Sequence, residues 1–303
     1  MTGMNLSGVL NPIPTPFDSR GEVDLARLRA ALGRWCASPL AGVVVLGSTG
    51  EAAFLDEDES LRVIEAARDA VPAGRTFIVG TGRESTRATM AATRRAADLG
   101  ADAVLVRTPG FYKSQMTSEA YVRHYTSVAD ASPVPVLLYN FTAVTGVTIP
   151  VEAVAVLAAH PNIAGMKESN GDVARIGELV AAVPPAFSVV AGSASTFLGA
   201  LDAGARGGIL ALSAVLPDAC VRLLDLVRGG RDDEARALQA RLLPLAKLFG
   251  ATYGIPGLKA ALNLTGYDIG DPRPPLTPLG VAAMPELTAA LSWFPEAHLH
   301  VAS

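Results

Sequence analysis

Four lysines occur in this chain, Lys113, Lys167, Lys247 and Lys259, few enough to be sorted one by one. Lys113 falls in a loop, and Lys247 and Lys259 fall in a helical tail. Lys167 alone ends an apolar strand, in the run Ile163-Ala-Gly-Met-Lys-Glu-Ser169. Burial disfavours the charged form of an amine, and a neutral amine attacks a ketone to form an imine. The competing reading is a strand-end lysine that snorkels and pairs with Glu168.

Three other segments carry chemistry at strand ends. Gly47-Ser-Thr-Gly-Glu51 follows the strand Val43–Leu46, and its glycines, hydroxyls and amides can hold an anion. It lacks the Gly-Lys-Ser/Thr of a P-loop, and the bland alternative is a simple strand-to-helix turn. Gly80-Thr-Gly82 does not complete a dinucleotide fingerprint. Tyr139 ends the strand Pro135–Tyr139, where a phenol can relay protons or simply fill the core with its hydroxyl in water. The loop Thr108-Pro-Gly-Phe-Tyr-Lys113 carries aromatic residues that serve as a lid or as packing.

The histidines argue against other mechanisms. None of His124, His160, His298 and His300 stands at a strand end, which disfavours a metal site there. His298 and His300 are expected to be solvated in a polar tail. No Gly-x-Ser-x-Gly elbow is present.

The elements that must position these groups recur regularly. Strands are expected at Val9–Ile13, Gly42–Leu46, Thr76–Gly80, Ala103–Arg107, Val136–Tyr139, Ala164–Lys167, Ser188–Ala191 and Gly208–Ala211. Helix-like runs separate them. Glu57 to Val71 places Leu61, Ile64 and Val71 on one stripe. Ser85 to Leu99 stops at Gly100, and Thr117 caps the next helix. Pro150 suits a first helical turn, Pro161 ends that helix, and Asp172 to Val183 stops at Pro184–Pro185. Eight alternating units predict an α/β fold, a (β/α)₈ TIM barrel whose active site lies at the C-terminal strand ends. Beyond about Cys220 only helices are expected, at Asp232 to Phe249, Pro256 to Leu264 and Met284 to Leu291. This divides the chain into a catalytic barrel, 1–225, and a C-terminal helical extension, 226–303.

Composition agrees. The chain has 303 residues, half of them apolar, ample for a barrel-sized core. The net charge of −4 and the absence of a basic run exclude a nucleic-acid partner. No apolar run reaches the ~20 residues of a membrane span, and Met1 to Leu10 lacks a signal-peptide pattern. Cys36 and Cys220 have no metal-ligand spacing and read as reduced, buried thiols of a cytoplasmic protein.

The order Gly-Ser-Thr-Gly-Glu, Tyr-Asn, Gly-Met-Lys-Glu-Ser resembles the dihydrodipicolinate synthase and N-acetylneuraminate lyase superfamily over nearly the whole chain. Within it, Glu84-Ser-Thr86, Ser132-Pro-Val-Pro-Val136, His160-Pro-Asn-Ile-Ala-Gly-Met-Lys167, Gly171-Asp-Val-Ala-Arg-Ile176, Val190-Ala-Gly-Ser193 and Gly254-Ile-Pro-Gly-Leu-Lys259 are most similar to the 4-hydroxy-2-oxoglutarate aldolases.

The resemblance implies a 2-oxo acid substrate bound as an imine on Lys167, with Tyr139 as proton shuttle. Ser48 and Thr49 would hold the substrate carboxylate, and the Gly192 carbonyl would line the far side. No metal or organic cofactor is implied, because the iminium is itself the electron sink. Homo-oligomers, tetramers or dimers, are implied too. Two positions depart from the family pattern. Val144 stands where the synthases carry an arginine, and Phe111 stands where a tyrosine from a neighbouring subunit joins a proton relay. Tyr112 is next to it, so the relay is either shifted by one residue or altered. The expected reaction is retro-aldol cleavage of 4-hydroxy-2-oxoglutarate to pyruvate and glyoxylate. The alternatives are dihydrodipicolinate synthase chemistry, a sugar-acid aldolase or dehydratase, and a non-catalytic barrel that senses 2-oxo acids.

Overall fold

The computed structural model describes residues 6–297 and 299. Eight parallel strands close into a barrel in chain order. They are β1 (Val9–Pro12), β2 (Gly42–Val45), β3 (Thr76–Gly80), β4 (Ala103–Arg107), β5 (Val136–Asn140), β6 (Ile163–Glu168), β7 (Ser188–Ala191) and β8 (Gly208–Ile209). All eight expected strands are present. β6 runs one residue further at each end than expected, and β8 stops two residues short because Ala211–Ala214 winds into a 3₁₀ turn.

The strands are wrapped by α1 (Leu25–Cys36), α2 (Glu57–Ala70), α3 (Thr86–Asp98), α4 (Ser118–Ala131), α5 (Thr142–Thr145), α6 (Val151–Leu157), α7 (Val173–Ala182), α8 (Phe197–Asp202) and α9 (Pro217–Arg228). Then follow α10 (Asp232–Lys247), α11 (Gly254–Leu264) and α12 (Met284–Leu291). Side chains start several of these helices. Asp56 and Glu59 form a reciprocal capping box on α2, and Ser85, Thr117 and Asp172 each accept an amide from the first turn of α3, α4 and α7. Pro150 sits at the N-cap of α6, one residue before the first turn, and α6 ends at Leu157, ahead of Pro161. The short helix α5 has no strong helix-forming sequence. It closes on Gly146, whose φ of 70° lets its amide reach back to the Thr142 carbonyl.

Period-2 alternation divides the strand side chains between two cores. Leu10, Val44, Ile78, Leu105, Leu137, Tyr139, Val190 and Ile209 fill the barrel interior. Val43, Val79, Val104, Leu138, Met166 and Val189 face the helices. That outer core also contains Leu242, Leu245, Leu258, Leu262, Leu287 and Leu291 of the last three helices, so the extension packs continuously with the barrel's shell. Residues 225 and 226 both lie inside α9. Cys220 is buried, whereas Cys36 is half-buried rather than buried, and both are free thiols. No helix among the described residues is long and apolar enough to cross a membrane. His298 and His300 fall outside the described residues.

Candidate active site

Lys167 and Tyr139 are register partners on neighbouring strands β6 and β5. Their neighbours Met166 and Leu138 face the helices, so alternation turns both residues inward at the C-terminal end of the barrel. Lys167 is 5% exposed, and its Nζ stands 4.4 Å from the centroid of the Tyr139 ring. The Tyr139 hydroxyl shares a 2.8 Å hydrogen bond with Ser48 Oγ, which reaches in from the loop after β2. Strand-end lysine, phenol and anion loop therefore meet at one point.

Glu168 does not pair with Lys167. It points the opposite way, into the layer between β6 and α7, where its carboxylate is fully buried. There it accepts Arg175 Nε at 2.8 Å, Asn140 Nδ2 at 2.9 Å and the Asn170 amide at 3.0 Å. Asn140 in turn accepts the Ile149 amide through Oδ1. This polar network ties residues 140 and 168, each one place beyond a catalytic candidate, and so sets the strand ends that carry Tyr139 and Lys167. Among the described residues Lys167 has no carboxylate within ion-pair distance. The other buried lysine, Lys259, is paired with Glu51 at 2.6 Å. Lys167 is thus the buried amine left free to react.

The loop after β2 leaves hydrogen-bond donors unpaired. The Gly50 and Glu51 amides close turns on the Gly47 and Ser48 carbonyls at 3.1 Å, while the amides of Ser48 and Thr49 donate to nothing among the described residues. Those two amides and the Thr49 hydroxyl are the donors left for a carboxylate. Gly80, bland in the sequence, is what lets this loop pack: a Cβ there would lie 2.0 Å from the Leu46 carbonyl oxygen.

Gly192 follows β7, and its amide donates to the Glu168 carbonyl at 2.7 Å. A Cβ at Gly192 would stand 1.8 Å from Ser169 Oγ, so only glycine fits beside Ser169. The Ser169 hydroxyl is buried with no partner among the described residues. It lies two residues after Lys167 and carries a donor that a bound ligand would satisfy. The sequence placed it at the end of the Gly-Met-Lys-Glu-Ser run but assigned it no role, because nothing local shows that its hydroxyl is buried without a partner.

Tyr112 does not join Tyr139 and Ser48 within one chain. Phe111 and Tyr112 are 76% and 72% exposed and pack edge-on against each other, at 5.1 Å between ring centroids. Their loop is held by Glu84, which accepts the Gly110 and Phe111 amides at 2.9 and 3.0 Å and pairs with Arg107 at 2.7 Å. Burial alone would raise the Glu84 carboxyl, but the Arg107 hydrogen bond and the two amides outweigh it and hold the group below its usual range. Val144, on α5 beside this loop, is 61% exposed. The Lys113 ammonium lies against Gly146, 2.5 Å from where a Cβ would stand. No group of three or more His, Cys, Asp or Glu among the described residues is arranged to hold a metal.

Residues 5–293 match the model of the dihydrodipicolinate synthetase family. The chain belongs to this family. A 4-hydroxy-tetrahydrodipicolinate synthase of Exiguobacterium sp. is 36% identical over 291 residues, covering 96% of this chain and 98% of that protein. A probable mitochondrial 4-hydroxy-2-oxoglutarate aldolase of Emericella nidulans is 38% identical over 277 residues, covering 89% of each chain. The solved structure of the Acinetobacter baumannii dihydrodipicolinate synthase in complex with pyruvate superposes with a TM-score of 0.91 at 30% identity, covering 97% of this chain and 99% of that one. As a dihydrodipicolinate synthetase family member the protein is a carbon–carbon lyase of the class I aldolase type, built on the (β/α)₈ barrel expected from its sequence.

Proposed function

We propose that this family member cleaves 4-hydroxy-2-oxoglutarate to pyruvate and glyoxylate through an imine on Lys167. The observation that carries the reading is the free, buried Lys167 amine beside the Tyr139 ring, with the Tyr139 hydroxyl bonded to Ser48. In this reading Ser48 and Thr49 hold the C1 carboxylate, and the Gly192 carbonyl lines the opposite wall. Nζ of Lys167 attacks the C2 carbonyl, and the oxygen leaves as water after Tyr139 delivers a proton. The C4 hydroxyl then gives its proton to the Tyr139 phenolate, the C3–C4 bond breaks, and its electron pair flows into the iminium. Glyoxylate leaves, the enamine takes a proton at C3, and water hydrolyses the imine to pyruvate. None of these steps calls for a metal or an organic cofactor.

Val144 supports the choice of substrate. Aspartate semialdehyde brings a carboxylate and an amine, and a site for it gains from a bidentate arginine that valine cannot replace. Lys113 on the same rim offers a single ammonium instead of a planar fork. A charged hydrogen bond is worth about 1.5–3 kcal/mol, so the loss costs on the order of 10- to 150-fold. The rival, synthase chemistry, is favoured by the naming of the Exiguobacterium relative. Measuring kcat/KM for pyruvate release from 4-hydroxy-2-oxoglutarate and for condensation with aspartate semialdehyde on one preparation decides between them. A ratio favouring the semialdehyde would promote the synthase. Pyruvate with borohydride should label Lys167; label on Lys113 or Lys259 rejects the assignment, and labelling without turnover of any aldol favours a sensor.

The barrel of residues 1–225 carries this chemistry in our reading, with 226–303 as its extension. The exposed Phe111, Tyr112 and Val144 support assembly into a homo-oligomer, a dimer or tetramer, in which Tyr112 completes a neighbour's proton relay. The two free thiols support a cytoplasmic setting.

A further inference from the structure

The anion loop leaves β2 through an unusual backbone. Leu46 and Glu51 bracket it, and both are non-glycine residues at φ 55°, in the left-handed region that L side chains avoid. Such a conformation persists only where its surroundings impose it.

The surroundings come from the two ends of the chain. Glu51 is 3% exposed. Its Oε1 is ion-paired at 2.6 Å with Nζ of Lys259 on α11, and its Oε2 accepts the Arg273 amide at 2.8 Å. Lys259 Nζ also donates to the carbonyls of Thr15 at 2.8 Å and Asp271 at 3.1 Å, and stands 4.2 Å from the Phe17 ring centroid. The Thr15 hydroxyl donates to the Gly50 carbonyl at 2.6 Å, inside the loop. Arg273 locks the far side by forking onto Glu59 at 2.6 and 2.7 Å and donating to the Phe54 carbonyl at 2.8 Å. A buried ion pair contributes little net stability over an apolar pair of the same volume, because desolvation offsets attraction. Its worth is directional: it holds one backbone geometry.

We infer that Glu51 and Lys259 are positioning residues through which the C-terminal extension sets the carboxylate-binding geometry of Ser48 and Thr49. The pair works from behind the loop and touches neither substrate nor Lys167. It keeps the turn in which the Ser48 and Thr49 amides are unpaired among the described residues, and it keeps Ser48 Oγ on the Tyr139 hydroxyl. This rests on the reading that Ser48 and Thr49 hold the substrate carboxylate.

The test uses the full-length protein and three variants, Glu51→Asp, Lys259→Met and the charge-neutral double variant Glu51→Gln/Lys259→Met. For each, Tm, kcat and KM for pyruvate release are measured, together with the pyruvate concentration that half-saturates borohydride labelling of Lys167. Loosening the loop is expected to raise KM and the pyruvate half-saturation by on the order of 10- to 150-fold, the worth of a charged hydrogen bond, with a smaller fall in kcat. Lys259→Met leaves Glu51 buried without its partner and is the variant most at risk of not folding. The double variant removes both charges and is expected to fold with a Tm near wild type while keeping the weakened pyruvate binding. Any folded variant that half-saturates at the wild-type pyruvate concentration, whatever its Tm, reduces the pair to a structural role and overturns the inference. Absence of label at Lys167 in the wild type instead overturns the imine reading, and the inference with it.

Discussion

Tyr139 is the residue whose loss should be most informative. Its hydroxyl touches Ser48 and its ring touches the Lys167 amine, so Tyr139→Phe removes the proposed proton carrier and leaves the packing in place. We expect kcat to fall by roughly 10²- to 10⁴-fold, the usual worth of a positioned acid or base. An unchanged kcat would place the relay elsewhere. Tyr112→Phe is the companion experiment. If it lowers kcat only where the protein is assembled, a neighbouring chain completes the relay.

His124 offers a second measurement at this scale. It is buried on α4 with Nδ1 hydrogen-bonded to Thr86 Oγ1 at 2.9 Å. Burial pushes its pKa down to about 4 from 6.5, against the opposing pull of the Glu84 charge. The folded protein therefore resists a proton that the unfolded chain accepts below pH 6.5. The stability linked to His124 is complete above that pH and is lost as pH falls towards 4. Between pH 7 and pH 5 the loss comes to about 2 kcal/mol. Urea unfolding at the two pH values should show this difference in the wild type and lack it in His124→Gln. Equal pH dependence in both proteins would remove His124 from the account.

At the scale of elements, strand ends are held by contacts with the neighbouring strand and with the C-terminal helices. Gly80 ends β3 and allows the Leu46 carbonyl to approach to within 2.0 Å of its missing Cβ. Gly80→Ala must push the anion loop outward, since the obstructing atom is backbone. We expect KM to rise and Tm to fall by several degrees, as for about 1–3 kcal/mol of overpacking. A variant with wild-type KM would mean that the loop tolerates the shift. The extension grips the loop after β7 as well. Gln239 of α10 donates to the Ala194 carbonyl at 3.0 Å and accepts the Leu198 amide at 3.1 Å, holding the turn that follows Gly192.

For the whole molecule, the outer core runs without a break from the barrel strands into α10, α11 and α12. Lys259 forms a buried ion pair with Glu51, just before α2, and Arg273 pairs with Glu59 inside α2. Barrel and extension should therefore unfold together, in one calorimetric transition. Two resolved transitions would make 226–303 a separately folding unit.

Much of this was legible in the residues alone. Period-2 and period-3.6 patterns are local, so strand–helix alternation and barrel closure followed from short windows of sequence. The scarcity of lysine and its position at a strand end singled out Lys167, and the ends of the strands named Tyr139 and the Gly47–Glu51 loop. Side-chain direction at the last residue of a strand was not legible, since a shift of one residue exchanges the two faces. That is why the rivalry between a reactive Lys167 and one paired with Glu168 ended only when Glu168 was found against Arg175. The bond between Ser48 and Tyr139 joins residues 91 apart, and Glu51 meets Lys259 across most of the chain. Such pairings depend on how the barrel closes and where the last helices return, and no local propensity encodes them. Elements and candidate residues are therefore properties of the sequence, whereas which amine is free, which amides are unpaired and which segment braces the loop are decided by the tertiary structure.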